Sequence, residues 1–80
     1  MKKIKFELKE EEFITLVNVL KLKSLVSSGG EVKILLAEGM IYYNGELEYR
    51  KKKKLFKGDI VVVNNEYEIE IIWKNNILLV

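Results

Sequence analysis

Five consecutive cations at residues 50–54 are the part of this chain whose residue types and spacing most clearly suggest a chemical role. They lie between two turn signals, Asn-Gly at residues 44–45 and Gly-Asp at residues 58–59, next to a predicted β-hairpin. Clustered like charges repel one another and oppose folding, so the run indicates an anionic partner. A polyanion would offset that repulsion, and RNA is the first candidate.

The charges of the chain are unevenly distributed, although the formal net charge is only +2. Residues 1–20 carry four lysines and four glutamates, and residues 58–80 have a net charge of −3. Residues 21–57 carry nine lysines or arginines against four glutamates, a net charge of +5. A basic middle between neutral and acidic ends is typical of a protein with a polyanionic partner.

Catalytic chemistry has little support in the composition. The chain contains no histidine and no cysteine, which are the commonest groups for acid–base and nucleophilic catalysis. The carboxylates form no recognisable paired-acid or metal-binding pattern. Gly29-Gly30 lacks the Lys-Ser/Thr that completes a phosphate-binding loop for nucleotides. We therefore expect a protein that is not an enzyme and needs no cofactor or metal.

The length of 80 residues predicts a single domain over 1–80 with one small core. A hydrophobic content of 49% is typical of a globular chain. No apolar run approaches the roughly 20 residues of a membrane span, and no apolar segment of a signal peptide follows the first lysines. We therefore expect a cytoplasmic protein that does not associate with membranes.

The N-terminal part of the chain predicts a strand followed by a helix. Apolar and charged residues alternate over residues 3–9, which indicates a half-buried strand. Leucine and valine then recur at helical spacing, which predicts a helix near residues 15–22. Thr15 is the predicted N-cap of that helix.

A second helix is predicted over residues 29–38. Ser28 and Glu31 have the spacing of a capping box, in which each side chain accepts a hydrogen bond from the other residue's backbone N–H. Gly39 is expected to end the helix, because glycine readily adopts a positive φ. Ile34 falls outside the apolar stripe of this helix, and a terminal strand is one candidate to cover it.

The C-terminal half predicts antiparallel strands joined by tight turns, of which Asn-Gly at residues 44–45 is the strongest hairpin signal. The expected fold class is α+β, with two short helices packed on a small antiparallel sheet and added N- and C-terminal strands. The predicted strands of this half cover residues 40–43, 46–49, 60–63, 66–73 and 77–80.

The order of these elements resembles the S4-type RNA-binding domain, also called the αL domain. The resemblance covers residues 15–63. The family pattern begins with a helix, which is followed by a second helix that starts at Ser and ends at Gly. A strand then leads into Asn-Gly, and a basic loop precedes Gly-Asp. The resemblance implies two short helices on a small sheet, with RNA as the partner, and leaves the flanking strands 3–9 and 66–80 outside the core. The matching residues are Ser28, Leu35, Gly39, Ile41, Tyr43, Asn44, Gly45, Gly58, Asp59 and Val61.

The segment Ser-Ser-Gly-Gly-Glu at residues 27–31 is similar to that of small stand-alone bacterial members of this family. Members of the wider family often carry arginine directly after the serine that begins the second helix, and Gly29 occupies that position here. The RNA contact of that arginine is therefore not carried over to this chain. Lys57 stands where proline is frequent before Gly-Asp, and it adds a charge.

We expect the basic run to contact phosphates, with a solvated loop that keeps the protein soluble as the alternative. Free N–H groups at the start of the second helix attract phosphate, although a helix cap alone would explain the same residues. The remaining lysines are either ordinary surface residues or part of one continuous patch, and we favour the patch. The predicted RNA-binding residues are Lys21, Lys23, Ser28, Gly29, Gly30, Lys33, Arg50, Lys51, Lys52, Lys53, Lys54 and Lys57.

Four aromatic residues have less specific predictions. Tyr42, Tyr43 and Tyr49 are expected to pack within the hairpin, and stacking on a base is the alternative for one of them. Trp73 lies on an alternating strand and is predicted to be a core residue or to cover a sheet edge.

The sequence thus predicts a non-enzymatic module that contacts the phosphate backbone of structured RNA through a basic patch. The resemblance suggests ribosomal or transfer RNA, and with it an association with the ribosome. The main alternative is a protein-interaction or self-association module that uses the terminal strands, with Tyr67 and Trp73, as exposed edges. Binding of duplex DNA through the same cations is a third interpretation. The RNA target and the oligomeric state stay open.

Overall fold

The computed structural model of the protein describes residues 1–73 and has the predicted α+β fold. The predicted strand over 77–80 lies outside these residues. No helix within the described part is long and apolar enough to span a membrane. The elements are β1 (Lys2–Leu8), β2 (Ile14–Thr15), α1 (Leu16–Leu22), α2 (Gly29–Ala37), β3 (Ile41–Tyr43), β4 (Glu46–Leu47), β5 (Lys54–Leu55), β6 (Ile60–Val63) and β7 (Tyr67–Trp73).

Five strands form one sheet in the order β1-β7-β6-β3-β4, and β2 pairs with β5 in a separate ribbon. The pairs β3–β4, β3–β6 and β6–β7 are antiparallel, as expected for the centre of the fold. The first strand joins the last described strand in parallel, with Ile4 opposite Ile69 and Phe6 opposite Ile71, so the sheet is mixed. Because β7 lies between β1 and β6, it offers no free edge within the described residues.

Both helices pack their apolar side chains against one face of the sheet. In α1 the residues at helical spacing are buried, and in α2 the buried residues are Val32 and Leu36. Ile34, which lies outside that stripe, is 58% exposed. The remaining core comes from alternate strand residues, as the period of two predicts. The buried core residues are Leu8, Leu16, Val19, Leu20, Val26, Val32, Leu36, Ile41, Leu55, Val61, Val63, Ile69 and Ile71.

The start of α1 is capped differently from the prediction. Thr15 has the extended conformation of an N-cap, but its side chain makes no capping hydrogen bond. The buried Thr15 Oγ1 has no hydrogen-bond partner within the described residues. Instead, the N–H groups of Leu16 and Val17 donate to the carbonyl oxygens of Lys53 and Lys51, at 2.9 and 3.1 Å. Two of the four free donors at this helix end are therefore satisfied by the backbone of the basic run.

The start of α2 is close to the predicted capping box but differs in one contact. Ser28 Oγ accepts a hydrogen bond from the Glu31 N–H at 3.4 Å. The Glu31 carboxylate accepts from the N–H and the hydroxyl of Ser27, at 2.6 and 3.0 Å, and not from the N–H of Ser28. The return contact is thus displaced by one residue. The helix ends at Ala37, and Gly39 follows with φ of +71°.

The two turns that flank the basic run are joined to each other through Asp59. Its carboxylate accepts hydrogen bonds from the Tyr43 hydroxyl at 3.0 Å, from Asn44 Nδ2 at 3.1 Å and from the Phe56 N–H at 2.8 Å. Asn44 Oδ1 in turn accepts from the Ile60 N–H at 2.8 Å. The Asn-Gly and Gly-Asp turns therefore form one polar cluster that fixes where the chain leaves and re-enters the sheet.

The return strand of the hairpin is shorter than predicted. β4 covers only Glu46–Leu47, and the next residue, Glu48, lies on the core face of the sheet and is 5% exposed. The Glu48 N–H still donates to the Ile41 carbonyl at 2.9 Å. The chain then leaves the sheet, and Tyr49 is 72% exposed. The prediction that Tyr49 packs within the hairpin is therefore wrong.

Candidate nucleic-acid interface

The run of cations at residues 50–54, called the basic segment below, lies across the N-terminal end of α1. Its carbonyl groups accept the first two N–H groups of that helix. Its end forms β5, in which Lys54 lies opposite Thr15 and the fully buried Leu55 lies opposite Ile14. The basic segment is therefore anchored by backbone hydrogen bonds and one core side chain, and does not extend as a free loop.

Lys51 connects the basic segment to the start of α2. Its Nζ lies 3.3 Å from the position that a Cβ atom on Gly29 would occupy, and Val17 Cγ2 lies 3.8 Å from the same point. The N-terminus of a helix carries partial positive charge, so an ammonium group is not stabilised there by the helix dipole. An anion that enters this corner would be attracted both by the ammonium and by the helix end.

The chain that precedes the basic segment runs along α2 in the opposite direction. Leu47 Cδ1 lies 3.8 Å from the Cβ position of Gly39, beyond the C-terminal end of α2, whereas Lys51 lies at Gly29. Between these two contacts the chain and the helix form an open groove, called the α2 groove below. Its lining residues are Lys33, Leu36, Ala37, Tyr49 and Lys51.

Glu48 holds the backbone at the edge of the α2 groove. One of its carboxylate oxygens accepts hydrogen bonds from the N–H groups of Tyr49 and Arg50, at 3.0 and 2.8 Å. The same oxygen forms an ion pair with Arg50 Nε at 3.0 Å. Burial raises the pKa of Glu48, but the hydrogen bonds from Arg50 and Tyr49 outweigh it, and the pKa lies below its ordinary value.

Sequence reasoning missed Glu48. The register of the Asn-Gly hairpin is the signal that could have found it, because that register places Glu48 opposite Ile41 on the core face of the sheet. The ion pair also means that Arg50 is held by a carboxylate, although its side chain stays 69% exposed.

The other cations of the basic segment contact aromatic rings or extend into solvent. Lys53 Nζ lies 4.5 Å from the centre of the Tyr43 ring, and Lys54 Nζ lies 4.8 Å from that of Phe13. Lys52 and Lys57 are exposed. Such contacts restrain ammonium groups while leaving their charge available to an anion.

The two lysines at the C-terminal end of α1 lie apart from the α2 groove. Lys23 Nζ lies 5.7 Å from the ring centre of Phe6 in β1. Lys21 borders a cleft beside Ser24 and Ser27. The structure therefore brings Lys51 together with Gly29 and Lys33, and does not bring Lys23 to the same groove.

Comparison with known proteins agrees with the element order. The sequence profile of a family described as S4 domain matches residues 6–72, which extends beyond residues 15–63 on both sides. The chain is 33% identical over 63 residues to the "Probable ribosome maturation protein RlbA" of Bacillus subtilis (strain 168), covering 79% of this chain and 89% of the relative. It is 36% identical over 56 residues to the "Putative RNA-binding protein YbcJ" of Escherichia coli (strain K12), covering 70% of this chain and 80% of the relative.

Proposed function

The chain belongs to the S4 domain family, and we propose that it is a non-enzymatic module that binds the phosphate backbone of structured RNA. The printed name of the Escherichia coli relative, a putative RNA-binding protein, supports RNA as the class of ligand. The name of the Bacillus subtilis relative supports ribosomal RNA as the first target to test, with transfer RNA as the second.

The observation that carries this proposal is the position of the Lys51 ammonium group against Gly29 at the start of α2. Lys33 lies one helical turn further along and lines the same groove. Two ammonium groups therefore line one groove, and one of them lies against the first residue of a helix, which suits a phosphate group better than a neutral partner.

The remaining predicted residues are expected to contribute to RNA binding to different extents. Lys52, Lys53 and Lys54 follow Lys51 on an anchored segment, so they would contact successive phosphates. The backbone of Ser28 to Gly30 lies beside Lys51 and would donate N–H groups to the same anion. Lys57, Lys21 and Lys23 lie outside the α2 groove, and we expect weaker, longer-range contributions from them.

The proposal is tested by titrating a fluorescently labelled hairpin RNA into the protein at several salt concentrations. Each neutralised phosphate releases counterions, so several contacts should weaken binding by orders of magnitude between about 50 and 200 mM salt. A competition between RNA and DNA duplexes of one sequence distinguishes RNA from DNA, because only RNA has 2′-hydroxyl groups and A-form grooves. Binding that is insensitive to salt would contradict the proposal.

A variant in which Lys51, Lys52, Lys53 and Lys54 are all changed to glutamine distinguishes RNA binding from a protein-interaction module. RNA binding should fall sharply, because four charges are removed next to the groove. Pairing through the exposed edge of β1 should be unaffected, since that strand lies at the opposite side of the sheet from β4. An unchanged affinity for the hairpin RNA would exclude the basic segment as the binding surface.

A further inference from the structure

We propose that the ring of Tyr49 stacks on one unpaired base of the RNA, so that the preferred ligand is a helix with a bulged or looped nucleotide. This inference rests on the proposed RNA binding and adds a requirement on the shape of the RNA. It assigns a ligand-binding role to a residue that packing within the fold does not explain.

The exposure of Tyr49 is the first observation behind the proposal. Tyr49 is 72% exposed, compared with 40% for Tyr42, 45% for Phe56 and 42% for Trp73. An aromatic ring in water forgoes the stabilisation that burial would provide, and aromatic side chains are enriched where a partner covers them.

The backbone at Tyr49 is held in place, so the ring projects from a fixed point. The residue before it is anchored to the sheet by the hydrogen bond from the Glu48 N–H to the Ile41 carbonyl. The Tyr49 N–H and the Arg50 N–H both donate to the buried Glu48 carboxylate. A ring on a restrained backbone loses less conformational freedom when it stacks on a ligand, which favours binding.

The surroundings of Tyr49 match the parts of a nucleotide. Leu36 and Ala37 provide an apolar surface beside the ring, and Lys33 and Lys51 provide ammonium groups in the same groove. A base needs a flat apolar partner, and the phosphates on either side of it need cations. An extended acidic peptide would match the lysines but would leave the tyrosine ring without a planar partner.

An unpaired nucleotide follows from the chemistry of RNA helices. In an A-form duplex the faces of the bases are covered by their neighbours, and the major groove is too narrow for side chains to enter. Only a base outside the stack can lie against the Tyr49 ring. The basic segment would meanwhile contact the phosphates of the adjoining helix, which carry no sequence information.

The test uses three blunt-ended RNA duplexes. They have the same sequence except at one site. The first has a single bulged 2-aminopurine, the second has an abasic bulge, and the third has no bulge. The wild-type protein is compared with Tyr49→Ser, Tyr49→Phe and the matched control Tyr42→Ser, which removes another exposed tyrosine outside the groove. Thermal melting of each variant checks that the fold is retained.

We expect the wild-type protein to bind the base-containing bulge about tenfold more tightly than the abasic bulge, and to quench the 2-aminopurine fluorescence on binding. Tyr49→Ser should abolish the quenching and bind the base-containing and the abasic bulge with equal affinity. Tyr49→Phe and Tyr42→Ser should behave like the wild-type protein.

Equal, salt-dependent binding of all three duplexes by the wild-type protein would overturn this inference and leave the proposed RNA binding intact. A preference for the base that survives in Tyr49→Ser would also overturn it. Failure of the wild-type protein to bind any of the RNAs would contradict both proposals.

Discussion

Glu48 shows how much of this surface depends on a single buried side chain. Its carboxylate accepts hydrogen bonds from two consecutive backbone N–H groups and from the Arg50 guanidinium. These contacts fix the backbone of Tyr49 and Arg50 between β4 and Lys51. A glutamate that appears in the sequence as an ordinary strand residue therefore organises the edge of the α2 groove.

Glu48→Gln should lower the free energy of unfolding at pH 7 by about 1–3 kcal/mol, because an amide replaces a charged acceptor. The pKa of Glu48 is lowered in the folded state, so its contribution is present above the unfolded value of 4.5 and is lost as the pH falls through the folded pKa. The difference between the two proteins should therefore shrink from pH 7 to pH 3. Urea denaturation at both pH values measures it, and a pH-independent difference would count against this role.

Gly29 and Gly30 are adjacent in sequence but have different surroundings in the structure. Neither has a positive φ, so alanine fits the backbone at both positions. A Cβ atom on Gly29 would lie 3.3 Å from Lys51 Nζ, whereas on Gly30 its nearest contact is Ser28 Oγ at 3.7 Å. The two glycines thus differ in whether their side-chain space is shared with a cation.

We predict that Gly29→Ala weakens binding of hairpin RNA measurably, because the added Cβ displaces the Lys51 ammonium group by a few tenths of an ångström at the start of α2. Gly30→Ala should bind RNA like the wild-type protein. Both substitutions should stabilise the protein, by up to about 0.5–1 kcal/mol, because alanine favours the helix over the unfolded chain. Fluorescence titration and thermal melting measure the two effects, and equal RNA affinity of the two variants would refute the assignment.

At the scale of elements, the ribbon of β2 and β5 fixes the position of the lysines in the basic segment. It has only two residues in each strand. Together with the two carbonyl groups that accept the first N–H groups of α1, it fixes the basic segment across the end of that helix. The cations are therefore displayed by the same contacts that complete a helix cap.

Leu55→Ala should destabilise the protein by about 2–5 kcal/mol, since Leu55 is fully buried and its truncation leaves a cavity in the core. Phe56→Ala is the matched control, because the neighbouring ring is 45% exposed and loses less on truncation. Chemical denaturation compares the two variants. An equal loss of stability would mean that β5 is not anchored through Leu55.

The elements that could be predicted from sequence are those with strong local signals. The bounds of both helices lie within one residue of prediction, because helical periodicity is a local feature and so is the glycine that follows α2. The ribbon of β2 and β5 was not predictable, since two-residue strands have no periodicity and their pairing joins residues about 40 positions apart in sequence. The parallel pairing of β1 with β7 depends on the whole topology and likewise has no local signal.

The candidate site could be predicted only as a set of cations. The run at residues 50–54 and the two glycines that begin α2 are visible in sequence, but their contact through Lys51 is not. Tyr49 was predicted wrongly for a different reason. The hairpin register that places Glu48 on the core face places Leu47 and Tyr49 on the opposite face, where both are exposed.

At the scale of the whole molecule, the sheet separates two groups of lysines. β1 and β4 form its opposite edges, and four strand spacings of about 4.8 Å place them about 19 Å apart. The lysines of β1, including Lys3 and Lys5, are exposed on one edge, and the α2 groove lies near the other. Screening in physiological salt acts over about 8 Å, so charges on the two edges should contribute independently to RNA binding.

The most direct test of the account compares two double variants with the same change in net charge. Lys33→Gln with Lys51→Gln removes the cations of the α2 groove, and Lys3→Gln with Lys5→Gln removes two from the opposite edge. The salt dependence of hairpin RNA binding should become shallower by about one unit per lysine only for the groove variant, with a matching loss of affinity. Equal effects of the two pairs would contradict a defined phosphate-binding surface beside α2 and would leave net charge alone as the cause of binding.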